Sequence, residues 1–160
     1  MKLQADLHTH TIASTHAYST IMENCQWAAQ YGLKAIAMTD HGMAMPDSPH
    51  EWHFYNMRVL PRQICGVTVL KGVEANIINI NGELDIPEWT RKSMEWVVAS
   101  MHKEAIKPDT VENITNAYLK ACENPYIDVI GHCTSNSFMF DYEKCVKAFK
   151  EYEKLVEVNE

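Results

Sequence analysis

The feature that most constrains the fold is a repeat of short apolar runs that begin at intervals of about 30 residues, the length of one strand with its following helix. The runs are continuous rather than alternating, which is typical of parallel strands buried on both faces. This pattern predicts an α/β fold, a parallel barrel or sheet, with about six βα units. The predicted strands span residues 3–7, 34–39, 68–74, 96–101, 127–130 and 155–158.

Helix and turn signals occupy the segments between these runs. A capping box at residues 20–23 precedes apolar residues at helical spacing, and Gly32 is predicted to end that helix. Two further helices are predicted to follow Asp109 and Asp141. Asn81-Gly82 stands between two short apolar runs and predicts a small hairpin in the third unit.

Composition narrows the functional classes. The chain has 14 Lys and Arg against 21 Asp and Glu, a net charge of −7, which does not favour nucleic-acid binding. No apolar run approaches the roughly 18 residues of a membrane helix, and no signal peptide is evident. The five cysteines form no Cys-x-x-Cys pair and are interpreted as reduced thiols. We expect one cytoplasmic domain, residues 1–160, without membrane or nucleic-acid partners.

Histidines lie where the predicted strands end, and Glu74 holds the same place on the third strand. The carboxyl ends of parallel strands open on one face, so these side chains should converge. Imidazole and carboxylate groups suit zinc, manganese or iron, and the lack of a thiolate set favours an open catalytic site over a closed structural one. The candidate metal ligands at strand ends are His8, His10, His41, Glu74, His102 and His132.

The spacing of these residues suggests individual roles. His8 and His10 are two residues apart, so both point to the same side of an extended strand and can chelate one ion. A single carboxylate such as Glu74, between two groups of histidines, can bridge two metal ions that activate water and bind a phosphate. The predicted catalytic residues are Glu74, His10 and His132.

Further candidates lie in the loops near these strand ends. His16, in the first βα loop, could hold an additional ion together with His41. Asp40 is either a ligand or, as we favour, a carboxylate that orients a histidine through its second ring nitrogen. Residues 50–53, His-Glu-Trp-His, are one residue short of the metalloprotease motif and are interpreted as a surface or substrate-facing segment.

Arg58 and Arg62 are the candidates for binding a substrate phosphate. They are four residues apart on one predicted helix, so both can face the same way, and guanidinium groups suit phosphate. The alternative is a solvated helix face or a salt bridge. Lys103 is a weaker candidate for the same role, and Cys133, next to His132, is not expected to act as a nucleophile.

Several short motifs follow one another along the whole chain, at residues 6–10, 13–20, 39–42, 52–58 and 72–77, with the single His102 and His132 behind them. The first is Asp-Leu-His-Thr-His, the third Thr-Asp-His-Gly and the last Gly-Val-Glu-Ala-Asn-Ile. In this order they resemble the PHP (polymerase and histidinol phosphatase) family, and within it the bacterial stand-alone phosphatases.

The resemblance implies a distorted TIM-like (β/α)7 barrel that hydrolyses a small phosphate monoester with a metal-activated hydroxide. It also implies two to three divalent ions per chain, with zinc as the first candidate and manganese or iron as alternatives. Carried onto matching positions, the implied ligand sets are His8, His10 and Glu74 for one ion, Glu74, His102 and His132 for a second, and His16 with His41 for a third.

The sequence departs from the family at one point. The family has a seventh strand that ends in an Asp-x-His pair, and no such pair follows the sixth predicted strand here. We therefore expect a barrel without its seventh strand, whose open edge a second copy of the chain could cover. Two other functions stay open: a non-catalytic metal-binding or assembly module, and an amidohydrolase-like metal hydrolase that acts on C–N bonds.

Overall fold

The computed structural model describes residues 3–158 and contains one curved sheet in which six parallel strands follow the order β1-β2-β4-β5-β6-β7. The strand β3 pairs antiparallel with β4 through a two-residue turn. The α/β parallel architecture predicted from the sequence is thereby confirmed. The strands are β1 (Ala5–Thr9), β2 (Ala35–Met38), β3 (Gln63–Ile64), β4 (Val67–Asn76), β5 (Trp96–Ser100), β6 (Val129–Ile130) and β7 (Leu155–Val156).

The helices alternate with the strands and cover the sheet. They are α1 (Ile21–Gln30), α2 (Glu51–Asn56), α3 (Glu88–Ser93), α4 (Val111–Cys122) and α5 (Tyr142–Glu151), with a short 3-10 helix at Met57–Val59. No helix within residues 3–158 combines the length and the apolar character needed to cross a membrane.

The predicted helix signals act as expected. The Thr20 hydroxyl accepts from the Glu23 amide and the Glu23 carboxylate accepts from the Thr20 amide, which completes the capping box of α1. Gly32, with φ of 72°, follows the end of that helix. Asp141 caps α5, whereas α4 is capped by Thr110, one residue later than the sequence indicated.

Of two further sequence expectations, the structure confirms one and overturns the other. The hairpin around Asn81-Gly82 is confirmed as a tight turn with a single antiparallel bridge between Ile77 and Leu84. The expectation that one helix carries Arg58 and Arg62 is wrong. The helical segment ends with the 3-10 turn, because Leu60 is already extended and Pro61 supplies no amide hydrogen to continue it.

Strand β4 lies between β2 and β5, and its ladders with these two neighbours are offset along its length. Its first half pairs with β2 through residues 68–71, and its second half pairs with β5 through residues 72–76. The carboxyl half of β4 carries Glu74, and residues that follow β2, β5 and β6 lie against its carboxylate. The larger core packs α4 and α5 against this half of the sheet, with the fully buried Tyr118 and Phe149 among its largest side chains.

Gly72 is the first residue of β4 that pairs with β5, and we expect Gly72→Ala to lower the free energy of unfolding by about 1–3 kcal/mol through overpacking. The added methyl carbon would lie 2.6 Å from the carbonyl oxygen of Trp96, which belongs to the neighbouring strand. Urea unfolding followed by circular dichroism measures the change.

Gly66→Asn is the matched control. Gly66 has φ of +80° and open space where a side chain would extend, and asparagine tolerates this backbone region. Its loss of stability should be smaller than that of Gly72→Ala. Equal losses in the two variants would contradict the steric explanation.

Candidate metal centre

The centre is built around the carboxylate of Glu74, which is 1% exposed. Within the described part of the chain, five imidazoles approach it through Nε2. Three face Oε2 and two face Oε1. The distances to Oε2 are 3.2 Å for His8, 3.3 Å for His10 and 3.0 Å for His41, and those to Oε1 are 3.5 Å for His102 and 2.8 Å for His132.

Strand ends position these side chains, as the sequence predicted. The parallel ladder continues past β2 as a bridge between His41 and Glu74, so their side chains are held next to each other. The backbone of His10 is tied to α1 because its carbonyl oxygen accepts from the side-chain amide of Asn24. His132 follows β6 with φ of 23°, a region that non-glycine residues rarely adopt and that is often found at functional sites.

In several imidazoles Nδ1, the ring nitrogen that points away from Glu74, faces a hydrogen-bond acceptor. A neutral imidazole carries one N–H and one lone pair, and a carboxylate only accepts. A hydrogen on Nδ1 therefore leaves the lone pair on Nε2, the atom that faces the centre. The Nδ1 partners are Glu157 at 2.8 Å for His8, Asp47 at 2.8 Å for His41, Asn76 Oδ1 at 2.7 Å for His102, and Asp47 for His16.

Asn76 is itself held in place by a buried carboxylate. Asp85 accepts from the backbone amide of Asn76 at 2.8 Å and from its side-chain amide at 2.7 Å. This orientation turns the Asn76 carbonyl oxygen toward His102. Burial raises the pKa of Asp85, although its hydrogen bonds to Ala44 and Asn76 act in the opposite direction.

The electrostatics follow from this crowding of imidazoles around one carboxylate. Burial acts to raise the pKa of Glu74, but the hydrogen bonds with His10, His132, His41 and His8 hold it far below its usual range. The carboxylate is therefore ionised at every ordinary pH, as a metal ligand must be.

The pKa values of the surrounding imidazoles are shifted in both directions. Burial disfavours the charged form of His8, but its hydrogen bonds with Glu74 and Glu157 raise its pKa to about 9. The pKa of His41 is raised in the same way, against burial, by Glu74 and Asp47. That of His102 is lowered, mainly by burial.

The donors form three groups in which the possible ligand atoms lie within 4.8 Å of one another. Their chemistry fits a divalent transition metal, since it consists of imidazole nitrogen and carboxylate oxygen. The buried Nδ1 of His10 has no hydrogen-bond partner in the structure, which fits a site built for a further polar group. The groups are His8, Glu74 and His132; His41, Glu74 and His102; and His10, His16 and His41.

The geometric grouping differs from the ligand sets that the resemblance implied. His10 was expected with His8, and both face Glu74 Oε2, but His10 also forms a group with His16 and His41. His8 instead falls with His132, and their rings stack with centroids 5.8 Å apart. All seven predicted metal-ligating residues nevertheless lie in one contiguous cluster.

The sequence pattern of the PHP domain family matches residues 6–160. The chain belongs to the PHP domain family. A probable phosphatase of Clostridium novyi (strain NT) is 46% identical over 159 residues, and one of Thermoanaerobacter sp. (strain X514) is 49% identical over 160 residues. Each match covers 99% of this chain and 65% of the relative, so the chain spans less than two thirds of their length.

A solved structure shows the same fold. Histidinol phosphate phosphatase from Lactococcus lactis subsp. lactis, complexed with zinc, L-histidinol and phosphate, superposes with a TM-score of 0.58 at 14% identity. The likeness covers 98% of this PHP domain and 73% of that chain. The expected fold, a distorted TIM-like barrel, agrees with this comparison, and the described residues form an open part of such a barrel with six parallel strands.

Sequence reasoning missed three residues of the centre, which are Asn76 on β4, Glu157 and Asp47. Glu157 directly follows β7, and its carboxylate accepts from His8 and from the backbone amide of His132. The signal was present, because Glu157 is another strand-end carboxylate, but the predicted strand ran to residue 158 and concealed it. Asp47 lies in the loop after β2, where no periodicity marks it.

The other candidates lie around the centre. Asp40 is fully buried and orients a histidine, as favoured, but that histidine is His53 at 2.9 Å rather than a predicted ligand. His50 caps α2 by accepting from the Trp52 amide. Cys133 is buried, and burial raises the pKa of its thiol, as expected for a packing residue rather than a nucleophile.

The two arginines are separated in the structure. Arg58 places its guanidinium 3.8 Å from the centre of the Tyr55 ring. The guanidinium of Arg62 pairs with the carboxylate of Glu95 at 3.0 Å. The backbone of Arg62 lies beside the amino-terminal half of β4, because the carbonyl oxygen of Arg62 accepts from the amide of Val69. For Arg62 the structure therefore shows the salt-bridge alternative.

We expect Zn²⁺ binding to this PHP domain at about pH 7.5 to release roughly one proton from His8. His8 has a pKa of about 9 in the metal-free protein and must lose its proton to bind a metal through nitrogen. Calorimetric titrations in buffers of different ionisation enthalpy measure the proton count.

Glu157→Gln tests the source of this proton. It removes one of the carboxylates that raise the pKa of His8, so fewer protons should be released at the same pH. A binding enthalpy that does not vary with the buffer in the unmodified protein would contradict the expectation.

Proposed function

We propose that this PHP domain is a metal-dependent phosphatase that hydrolyses a small phosphate monoester. The observation that carries the proposal is the buried carboxylate of Glu74, whose two oxygens face two different sets of imidazoles. A carboxylate so placed suits a bridging ligand between metal ions. The names of the relatives, probable phosphatases, support the same reaction class.

In this proposal the ligands are drawn from the three geometric groups, and the centre holds two to three divalent ions, with zinc as the first candidate and manganese or iron as alternatives. His41 belongs to two of the groups and binds an ion in only one of them, because a neutral imidazole has one lone pair. Such ions supply water activation and neutralise phosphoryl oxygens when bound. The chain contributes the geometry. Glu74 stays ionised because its neighbours hold its pKa low, and Glu157, Asp47 and Asn76 keep proton-bearing Nδ1 atoms turned outward.

The roles proposed for Glu74, His10 and His132 are therefore those of ligands at the reacting phosphate rather than of a separate general acid. Arg58 is the remaining arginine candidate for the substrate phosphate, because Arg62 is engaged by Glu95. Arg58 follows α2, the helix whose His53 contacts Asp40 next to the centre.

A second copy of the chain is proposed to cover the open edge of the sheet. β1 and β7 are the two outer strands of the parallel order, and a cavity of about 300 Å³ lies between residues of both. Its walls include Leu7, Trp96 and Leu155. An unpaired edge next to apolar walls is a surface that another chain can pair with.

The test is hydrolysis of p-nitrophenyl phosphate by the metal-loaded protein, with metal content measured by elemental mass spectrometry. We expect two to three ions per chain and phosphate release that depends on them. Glu74→Gln should lower kcat/KM by about 100-fold or more, since it removes the bridging charge at constant shape. Glu143→Gln, which changes a surface carboxylate paired with Lys147, should leave activity unchanged.

The alternative functions predict other results. Bound metal without phosphate release would favour the metal-binding or assembly module. Metal-dependent cleavage of a C–N bond without phosphatase activity would favour the amidohydrolase-like reaction. A fully active Glu74→Gln protein would end the bridging proposal.

A further inference from the structure

Asp47 is the one carboxylate within residues 3–158 that contacts two histidines of a single ligand group through their Nδ1 atoms. Its Oδ1 lies 2.8 Å from Nδ1 of His41, and its Oδ2 contacts Nδ1 of His16. His16 and His41 lie 31 and 6 residues from Asp47 along the chain, so the contacts join the loops after β1 and β2.

The backbone strengthens this connection. The carbonyl oxygen of Asp47 accepts from the amide of Thr15 at 3.2 Å, directly beside His16. Asp47 therefore fixes the first loop through both its main chain and its side chain. The side chain of Asp47 is 19% exposed, whereas the imidazole of His16 is 50% exposed.

The chemistry of the Asp47 carboxylate and the two imidazoles determines where the protons lie. An ionised carboxylate has acceptors only, so both imidazoles must donate from Nδ1. Each neutral ring then carries its lone pair on Nε2. For His41 this nitrogen lies 3.0 Å from Glu74 Oε2, so it faces the centre.

We propose that Asp47 is a positioning residue that sets the same tautomer on His16 and His41, so that both rings offer Nε2 to the ion held by His10, His16 and His41. This inference rests on the proposed metal centre. It states that metal binding by one of the three ligand groups depends on Asp47, which is not a member of any of these groups.

Asp47→Asn separates the two contacts without changing the shape of the side chain. An amide has one acceptor and one donor, so only one imidazole keeps an acceptor opposite its Nδ1. The other faces an N–H group, must place its lone pair on Nδ1, and carries its proton on Nε2. That ring can then no longer bind an ion through Nε2.

The first measurement uses the metal-free protein. Two-bond ¹H–¹⁵N correlation spectra report which nitrogen of each imidazole carries the proton. In the unmodified chain Nδ1 of both His16 and His41 should carry a proton, and in Asp47→Asn one of these two Nδ1 atoms should lose it. An unprotonated Nδ1 in either ring of the unmodified chain would overturn the inference, whatever the variant does.

The second measurement is metal content and affinity in the metal-loaded protein. Asp47→Asn should retain the other ions and bind one ion about 10–100-fold more weakly. Asp109→Asn is the matched control. The carboxylate of Asp109 accepts from the side-chain amide of Asn113 and the backbone amide of Thr110 at the start of α4. It should leave both the tautomers and the metal content unchanged.

The outcomes distinguish this inference from the proposed function. An unmodified protein that binds no metal would contradict the proposed function, while the tautomers would still decide the role of Asp47. Full retention of all ions with unchanged tautomers in Asp47→Asn would overturn the inference alone. Loss of every ion from that variant would also overturn it, because Asp47 would then be a requirement of the whole centre.

Discussion

The structure depends on keeping one carboxylate charged in a place where water does not reach it. Burial of Glu74 opposes its ionisation, and only a full set of surrounding donors offsets that cost. Those donors come from the ends of four other strands or the residues that follow them. The strand ends must therefore meet at one point, and the sheet must curve for them to do so. Strand β4, which carries Glu74, lies between β2 and β5, and the histidines that follow these two neighbours face different oxygens of its carboxylate.

A second layer of contacts makes the centre directional. Each imidazole that faces Glu74 is useful as a ligand only when its outer nitrogen holds the proton. Glu157, Asn76 and Asp47 satisfy that condition from three different parts of the chain. They come from a strand end, from the strand that carries Glu74, and from a loop. The same contacts tie those segments to the centre, so the chemistry of the site and the closure of the fold depend on the same hydrogen bonds.

Much of this could be predicted from the sequence, for reasons that are local. A continuous apolar run of strand length predicts a buried parallel strand, and the residue that follows it is known to lie on the carboxyl face. This reasoning identified His41, Glu74 and His132 as candidate ligands without knowledge of any interatomic distance. It failed for Arg62, which was placed on one helix with Arg58 because the two residues are four apart. In the structure the helical segment ends before Pro61. It also missed Asp47, since a loop residue carries no periodic signal.

The sequence by itself determined which residue types stand at the strand ends, and hence that imidazoles and one carboxylate converge. Only the tertiary structure decided how they divide into groups, placing His10 with His16 and His41, and His8 with His132. The physical reason is that spacing along a strand fixes the side to which a side chain points, whereas distances between strands depend on sheet curvature and loop paths. Those are set by packing and by long-range contacts such as the one between His8 and Glu157, which are 149 residues apart.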